Sequence, residues 1–274
     1  MSSIVTSQGI LHFEIVGQGA PIILLHGWIN SWDVWRSSML ALGTGFSEKN
    51  EPPRRVYALD FWGFGASSNP DNKLDCPYLV ANYVEMVREF MDNMGIIKAP
   101  IAGHSLGGTV ALQFALNYPQ RTEKVIIVGC PIVGSSLNPI LKLASYGWIA
   151  RLVWKFPFIR SAIMHIILSG DSRQVQQMIS RDMERSCLNS FFRSISDLRD
   201  TDLRSQLRHL AVPTMGIYGM RDNIVSPINA KFLIREVQHA EVIMMHRSRH
   251  FPMTDEPELF MDEVTGFLNK NGRY

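Results

Sequence analysis

No stretch of this chain stays apolar and uncharged for the roughly 18 residues that a membrane-spanning helix requires. Nor does it open with a basic region ahead of an apolar core: Met1-Ser-Ser-Ile-Val-Thr-Ser-Gln-Gly9 has no feature of a secretory signal. Cysteine is scarce. Cys76, Cys130 and Cys187 are odd in number, widely scattered and form no C-x-x-C pair, a pattern that predicts reduced thiols and supplies no metal signature. Neither sign of charge dominates, the net being +2 over 274 residues, which argues against a dedicated nucleic-acid binder. These absences together predict a cytoplasmic protein.

What is present is a large apolar complement. Hydrophobic residues make up 46% and charged residues 19%, enough for one large α/β domain, or a core with an insertion. Ile4 to Ile15 reads as two short strands turning at Gln8-Gly9. Pro21–Leu25, Arg55–Leu59, Lys124–Val128, Val212–Tyr218 and Ala240–Met245 are short apolar runs, as expected of strands buried on both faces. Ser31 is placed to cap a helix running through Trp35 to Leu40. Loops are expected over 43–53 and 68–77. Val80, Val84, Val87, Phe90, Met91 and Met94 recur at helical spacing, and Pro257 to Asn269 reads as a last helix. Strands alternating with helices predict a doubly wound, mainly parallel sheet.

In such a sheet the functional edge lies beyond the carboxyl ends of the strands. Three segments bring unusual residues there: His26-Gly27-Trp28, Asp60-Phe-Trp-Gly-Phe-Gly-Ala-Ser67, and Gly103-His-Ser-Leu-Gly107. The last has the form G-x-S-x-G between a strand and a helix. That spacing demands a sharp, strained turn that leaves the Ser105 hydroxyl projecting, with glycines where neighbouring backbones close in. The helix that follows aims its free N–H groups at an anion forming beside the serine.

Taken in this order, the His-Gly loop, the Asp-x-x-Gly-x-Gly-x-Ser loop and the serine elbow resemble the α/β-hydrolase family. The resemblance implies a Ser-His-Asp triad whose acid and histidine both follow the serine. Asp222, after the strand Val212–Tyr218, is on the correct edge, whereas Asp197, Asp200 and Asp202 lie in a polar helical stretch. Of the later histidines, His239 enters a strand and His246 still lies at the strand's exit. His250, on the loop beyond, matches the family position. The resemblance further assigns the oxyanion-stabilising N–H groups to Trp28 and Leu106. His26 and His104 flank these backbones and are expected to buttress loops. A serine at the elbow separates the chain from similar families with an aspartate nucleophile, namely haloalkane dehalogenases and epoxide hydrolases. No metal or organic cofactor is implied.

The alternation of strands and helices stops between Val133 and Leu210. Helices are expected near Ile140–Lys155, Ile159–Leu168, Ser172–Cys187 and Leu188–Leu198, dividing the chain into a core (1–133), a helical cap (134–210) and the rest of the core (211–274). Trp148, Trp154 and Phe158, with His26, are the expected pocket side chains. From Leu137 to Leu207 ten basic residues meet six acidic ones, so the cap carries +4 and the remainder −2. Such a lid is suited to a small, apolar acyl or aromatic ester. It could also meet an anionic carrier protein or a membrane surface. The expected activity is carboxylic ester hydrolysis through an acyl-enzyme. Thioesterase and carbon–carbon bond hydrolase activities use the same triad, and a non-catalytic ligand receptor of this fold is the alternative of another class.

Overall fold

The short apolar runs pair into one eight-stranded sheet of order β1-β2-β4-β3-β5-β6-β7-β8. The strands are β1 (Ser2–Thr6), β2 (Gly9–Val16), β3 (Pro21–Leu25), β4 (Arg55–Leu59), β5 (Ala99–His104), β6 (Thr122–Val128), β7 (Thr214–Gly219) and β8 (Ala240–Met245). Among the described strands of this sheet only the β1–β2 and β2–β4 pairings are antiparallel; from β4 to β8 all are parallel. The computed structural model describes residues 2–45, 52–67 and 77–270. Cys76 and most of the expected 43–53 and 68–77 loops lie outside the described residues.

Burial follows the sequence pattern. Ile22, Ile23, Leu24 and Leu25 are all essentially inaccessible, because helices cover both faces of a parallel sheet and every side chain of β3 meets one of them. The expected helix after Ser31 begins as a 3-10 turn (Trp32–Trp35), with the Ser31 hydroxyl accepting from the Asp33 amide, and continues as α1 (Arg36–Thr44). In α2 (Val80–Asn93), buried Val80, Tyr83, Val84, Val87, Phe90 and Met91 form one stripe at spacings of three and four. The helix after the serine, α3 (Leu106–Asn117), is buried along most of its length. Both described cysteines, Cys130 and Cys187, are free thiols.

Between β6 and β7 lie five helices: α4 (Pro139–Ala144), α5 (Gly147–Lys155), α6 (Pro157–Ile167), α7 (Arg173–Glu184) and α8 (Leu188–Asp200). The single helix expected over 140–155 is therefore two. Ser145 closes α4, Tyr146 is extended, and Gly147 opens α5. The segment leaves and rejoins the core at adjacent points, since Val133 bridges Asp202. Polar contacts fix α7 and α8 to the strand-end loops. Ser190 Oγ donates to the Gly63 carbonyl (2.8 Å), Trp28 Nε1 to the Phe191 carbonyl (2.8 Å), and Ser31 Oγ to Asp182 (2.8 Å). Asp197 accepts from the Val80 amide (2.7 Å) and so caps α2. No helix among the described residues is long and apolar enough to cross a membrane.

After β7 the chain forms α9 (Asn229–Glu236), β8, a short α10 (Pro252–Asp255) and α11 (Pro257–Asn269). The end of α11 is held by Lys124 on β6, whose buried ammonium donates to the carbonyls of Phe267 (2.8 Å), Leu268 (2.9 Å) and Lys270 (2.8 Å). A cation at a helix C-terminus meets both the orphan carbonyls and the negative end of the dipole. Burial lowers the Lys124 pKa from its ordinary value, so the bonds repay only part of the cost of desolvating the charge, but removing the side chain would leave the carbonyls at the end of α11 without their donor. Lys124→Ala should lower stability by about 2–4 kcal/mol, read as a reduced urea midpoint with an unchanged slope.

Candidate active site

Ser105 sits between the last residue of β5 and the first of α3 with φ 52° and ψ −116°. A non-glycine residue in this region stores strain on the order of 1–3 kcal/mol, and the surrounding backbone holds it there. The Ser105 amide donates to the Val128 carbonyl on β6 (2.8 Å). A Cβ on Gly107 would lie 2.5 Å from the carbonyl oxygens of Leu25 and His26. Only glycine lets α3 start directly against the end of β3. This contact brings the free amides at the start of α3 beside the His26-Gly27-Trp28 loop.

The loops after β7 and β8 meet at the same edge. His250 Nδ1 lies 2.8 Å from Asp222 Oδ2, with both side chains almost fully buried. The other carboxylate oxygen of Asp222 accepts from the amides of Ile224 (2.8 Å) and Val225 (2.9 Å). One residue thus closes its own turn and orients the imidazole. With Nδ1–H donated to Asp222, the Nε2 lone pair is left free to accept a proton. Ser105 and His250 line one cavity. Among the described residues the Ser105 hydroxyl makes no hydrogen bond.

Two further histidines brace this edge as neutral rings. His104 Nε2 donates to the backbone carbonyl of His250 (2.9 Å), and burial with the nearby His250 holds its pKa well below the ordinary range. His26 accepts from the Phe61 amide at Nε2 (2.9 Å) and donates from Nδ1 to the Gly27 carbonyl (2.7 Å), again with its pKa lowered by burial. Asp60 gathers the adjacent loop. Its carboxylate accepts from the amides of Trp32 (2.6 Å) and Ala66 (2.8 Å) and meets His12 Nδ1 at 2.8 Å.

The cavity holds about 40 Å³ of free volume. Asn30, His104, Ser105 and His250 are its polar lining, and Leu141, Met164, Ile167, Ile195 and Leu198 are among its apolar walls. The side chains expected at the pocket lie elsewhere. His26 is wholly buried behind the strand-end loop. Trp154 packs at a tilt against Phe191 (5.5 Å), which in turn meets Trp28 (4.7 Å). Trp148 and Phe158 point outward. Helical spacing does not single out the apolar residues that do line the cavity, because it marks an inward face without distinguishing a core from a cavity.

One buried carboxylate lies apart from these arrangements. Asp171, in the turn between α6 and α7, is 7% exposed, and neither carboxylate oxygen has a hydrogen-bond partner among the described residues. Burial, reinforced by the Asp255 charge, pushes its pKa up to about 6. Nearby His250 and Arg249 offset this in part. Among the described residues no cluster of three or more His, Cys, Asp or Glu side chains is arranged to hold a metal ion.

Comparison with known proteins agrees with this fold. A family model described as alpha/beta hydrolase fold matches residues 20–164. The chain is 27% identical to a pimeloyl-[acyl-carrier protein] methyl ester esterase of Vibrio atlanticus, over 95% of this chain and 98% of the relative. It is also 27% identical to a Mycobacterium tuberculosis protein, over 94% of this chain and 77% of the relative. An esterase from Exiguobacterium antarcticum superposes with a TM-score of 0.82 at 19% identity, covering 98% and 99% of the two chains.

The raised pKa of Asp171 has a testable sign. Its ionised form is disfavoured in the folded state, so stability is lost as pH rises from the ordinary 3.8 through about 6. Asp171→Asn should raise the melting temperature by a few degrees above pH 6, with the gain shrinking towards pH 4 in a thermal-melt series.

Proposed function

Because the chain belongs to the α/β-hydrolase fold family, we propose that it is a serine-dependent hydrolase of carboxylic esters with a largely apolar acyl group. The observation that carries this reading is the His250–Asp222 hydrogen bond (2.8 Å), on a cavity shared with a serine held at a strained elbow. As Ser105 attacks the ester carbonyl, His250 Nε2 takes its proton, and Asp222 stabilises the resulting imidazolium without itself becoming protonated. The carbonyl oxygen becomes an oxyanion facing the amides of Leu106 and Trp28. Their backbone positions are set by the α3–β3 contact, so they need no reorganisation during the reaction. The imidazolium returns its proton to the departing alkoxide. Water, deprotonated by the same ring, then attacks the acyl-enzyme and releases the acid and Ser105.

The apolar walls support an acyl rather than a charged substituent beside the serine. The free volume of about 40 Å³ is well below the roughly 300–1,000 Å³ of typical ligand pockets, so the helices over the cavity must yield to admit substrate. Met164, Leu168 and Ile179 are where they would yield. These three line both the cavity and a wider cleft of about 330 Å³ between α6 and α7.

Ser105→Ala should abolish labelling by a fluorophosphonate, and Asp222→Asn should reduce kcat by about 10³–10⁴. Tight ligand binding without turnover in the unaltered protein would instead indicate a receptor. A panel of p-nitrophenyl esters beside matched acyl thioesters tests the bond cleaved. In the ester panel, Met164→Ala should raise kcat/KM for long acyl chains relative to butyrate by roughly tenfold. An unchanged chain-length profile would show that Met164 does not limit access.

A further inference from the structure

The outer surface of α5 and α6 departs from the usual mixed-charge helix exterior. On α5, Trp148, Arg151, Leu152 and Lys155 face solvent at spacings of three and four, forming one stripe. The matching stripe on α6 is Phe158, Ser161, Ala162, His165 and Ile166. Trp148 and Phe158 are each 71% exposed, and Leu143 and Tyr146 at the α4–α5 junction are 54% and 49% exposed. From Leu137 to Gly170 the chain has four cations, Lys142, Arg151, Lys155 and Arg160, and no Asp or Glu.

Further along the same segment, among the described residues, three of the six arginines from Arg173 to Arg204 meet carboxylates: Arg181 with Asp33 and Asp182, Arg199 with Asp200, and Arg204 with Asp202. Among the described residues none of the four α4–α6 cations does so. Lys155 and Arg160 lie instead over the rings of Phe156 (5.6 Å) and Trp154 (4.9 Å). Large apolar side chains interleaved with cations that lack counter-ions suit a surface offering both anions and an apolar layer. An acidic protein would answer the charge while leaving Trp148, Leu152, Phe158 and Ile166 without an apolar partner.

The position of this face gives it a use. The cleft between α6 and α7 is lined by Pro157, Ser161 and His165, which also belong to the exposed side of α6. Its inner wall is Met164, Leu168 and Ile179, shared with the catalytic cavity. We propose that the α4–α6 face seats the protein on an anionic phospholipid bilayer, and that an ester held in that bilayer reaches Ser105 through the α6–α7 cleft. The second half rests on the ester-hydrolase reading above; the seating does not. Headgroup phosphates would supply the missing anions, and Trp148 and Phe158 would lie at headgroup depth. Each cation near such a surface strengthens partitioning by roughly fivefold.

Vesicle flotation of the full chain tests this. The protein should float with vesicles of equimolar phosphatidylcholine and phosphatidylglycerol but not with phosphatidylcholine alone, and 0.5 M salt, a test concentration of about a 4 Å Debye length, should weaken binding. Trp148→Ala with Phe158→Ala, and separately Arg151→Glu with Lys155→Glu, should each reduce the bound fraction by about tenfold or more. Turnover of soluble p-nitrophenyl butyrate by both variants should stay within about twofold, which also reports that they fold. Failure of the unaltered protein to float with anionic vesicles would overturn the proposal. So would binding that both double variants retain, or capture by an acidic carrier protein in place of vesicles. Flotation does not require Ser105. Vesicle binding without ester turnover would therefore overturn the ester reading and the route through the cleft, leaving the seating intact.

Discussion

Three backbones meet beside Ser105 with almost no side chain between them, and the site depends on that contact. A Cβ at Gly107 would strike the carbonyls that end β3, and one at Gly103 would lie 2.0 Å from the Gly107 carbonyl oxygen. Because these atoms are absent, the start of α3, the end of β5 and the loop after β3 stack at backbone distance. Packing of this kind fixes where free amides point far more tightly than side chains on mobile loops could. The left-handed conformation of Ser105 belongs to the same arrangement, since β6 and α3 hold the residue from both sides.

Around that contact the polar groups are used to immobilise loops. His26 joins the loops after β3 and β4 through one ring, and His104 joins the elbow strand to the backbone of His250. Both rings are kept neutral by burial, which makes each a donor at one nitrogen and an acceptor, or an open lone pair, at the other. Asp60 performs a similar task with a carboxylate, holding the amides of Trp32 and Ala66. The helices α7 and α8 grip these same loops through Asp182 and through Ser190 and the Phe191 carbonyl. In contrast, α4 to α6 leave large apolar side chains in solvent.

Much of the core is legible in the sequence. Five strand runs appear within a residue or two of where their apolar patterns lie, because a strand covered on both faces has to be apolar throughout. His250 and Asp222 were separable from His246 and from Asp197 by position relative to strand ends, together with a family resemblance. The helical segment was less legible. A continuous apolar period over 140–155 concealed the break at Tyr146, and aromatic content was a poor guide to the cavity. Trp154 packs against Phe191, and Trp148 and Phe158 face outward. Hydrophobicity reports that a side chain avoids water but does not say whether it packs on a core, lines a cavity or awaits another surface.

The sequence alone determined the sheet's strands, the location of the elbow and the edge on which chemistry would gather, because local patterns of burial, glycine and charge encode them. Only the tertiary structure decided that Asp222 serves its own turn and His250 together, that Asp171 is buried without a hydrogen-bond partner among the described residues, and that Met164, Leu168 and Ile179 line both cavity and cleft. Those features arise where elements distant in the chain converge. Their energies depend on distances and solvent exclusion that no local pattern carries.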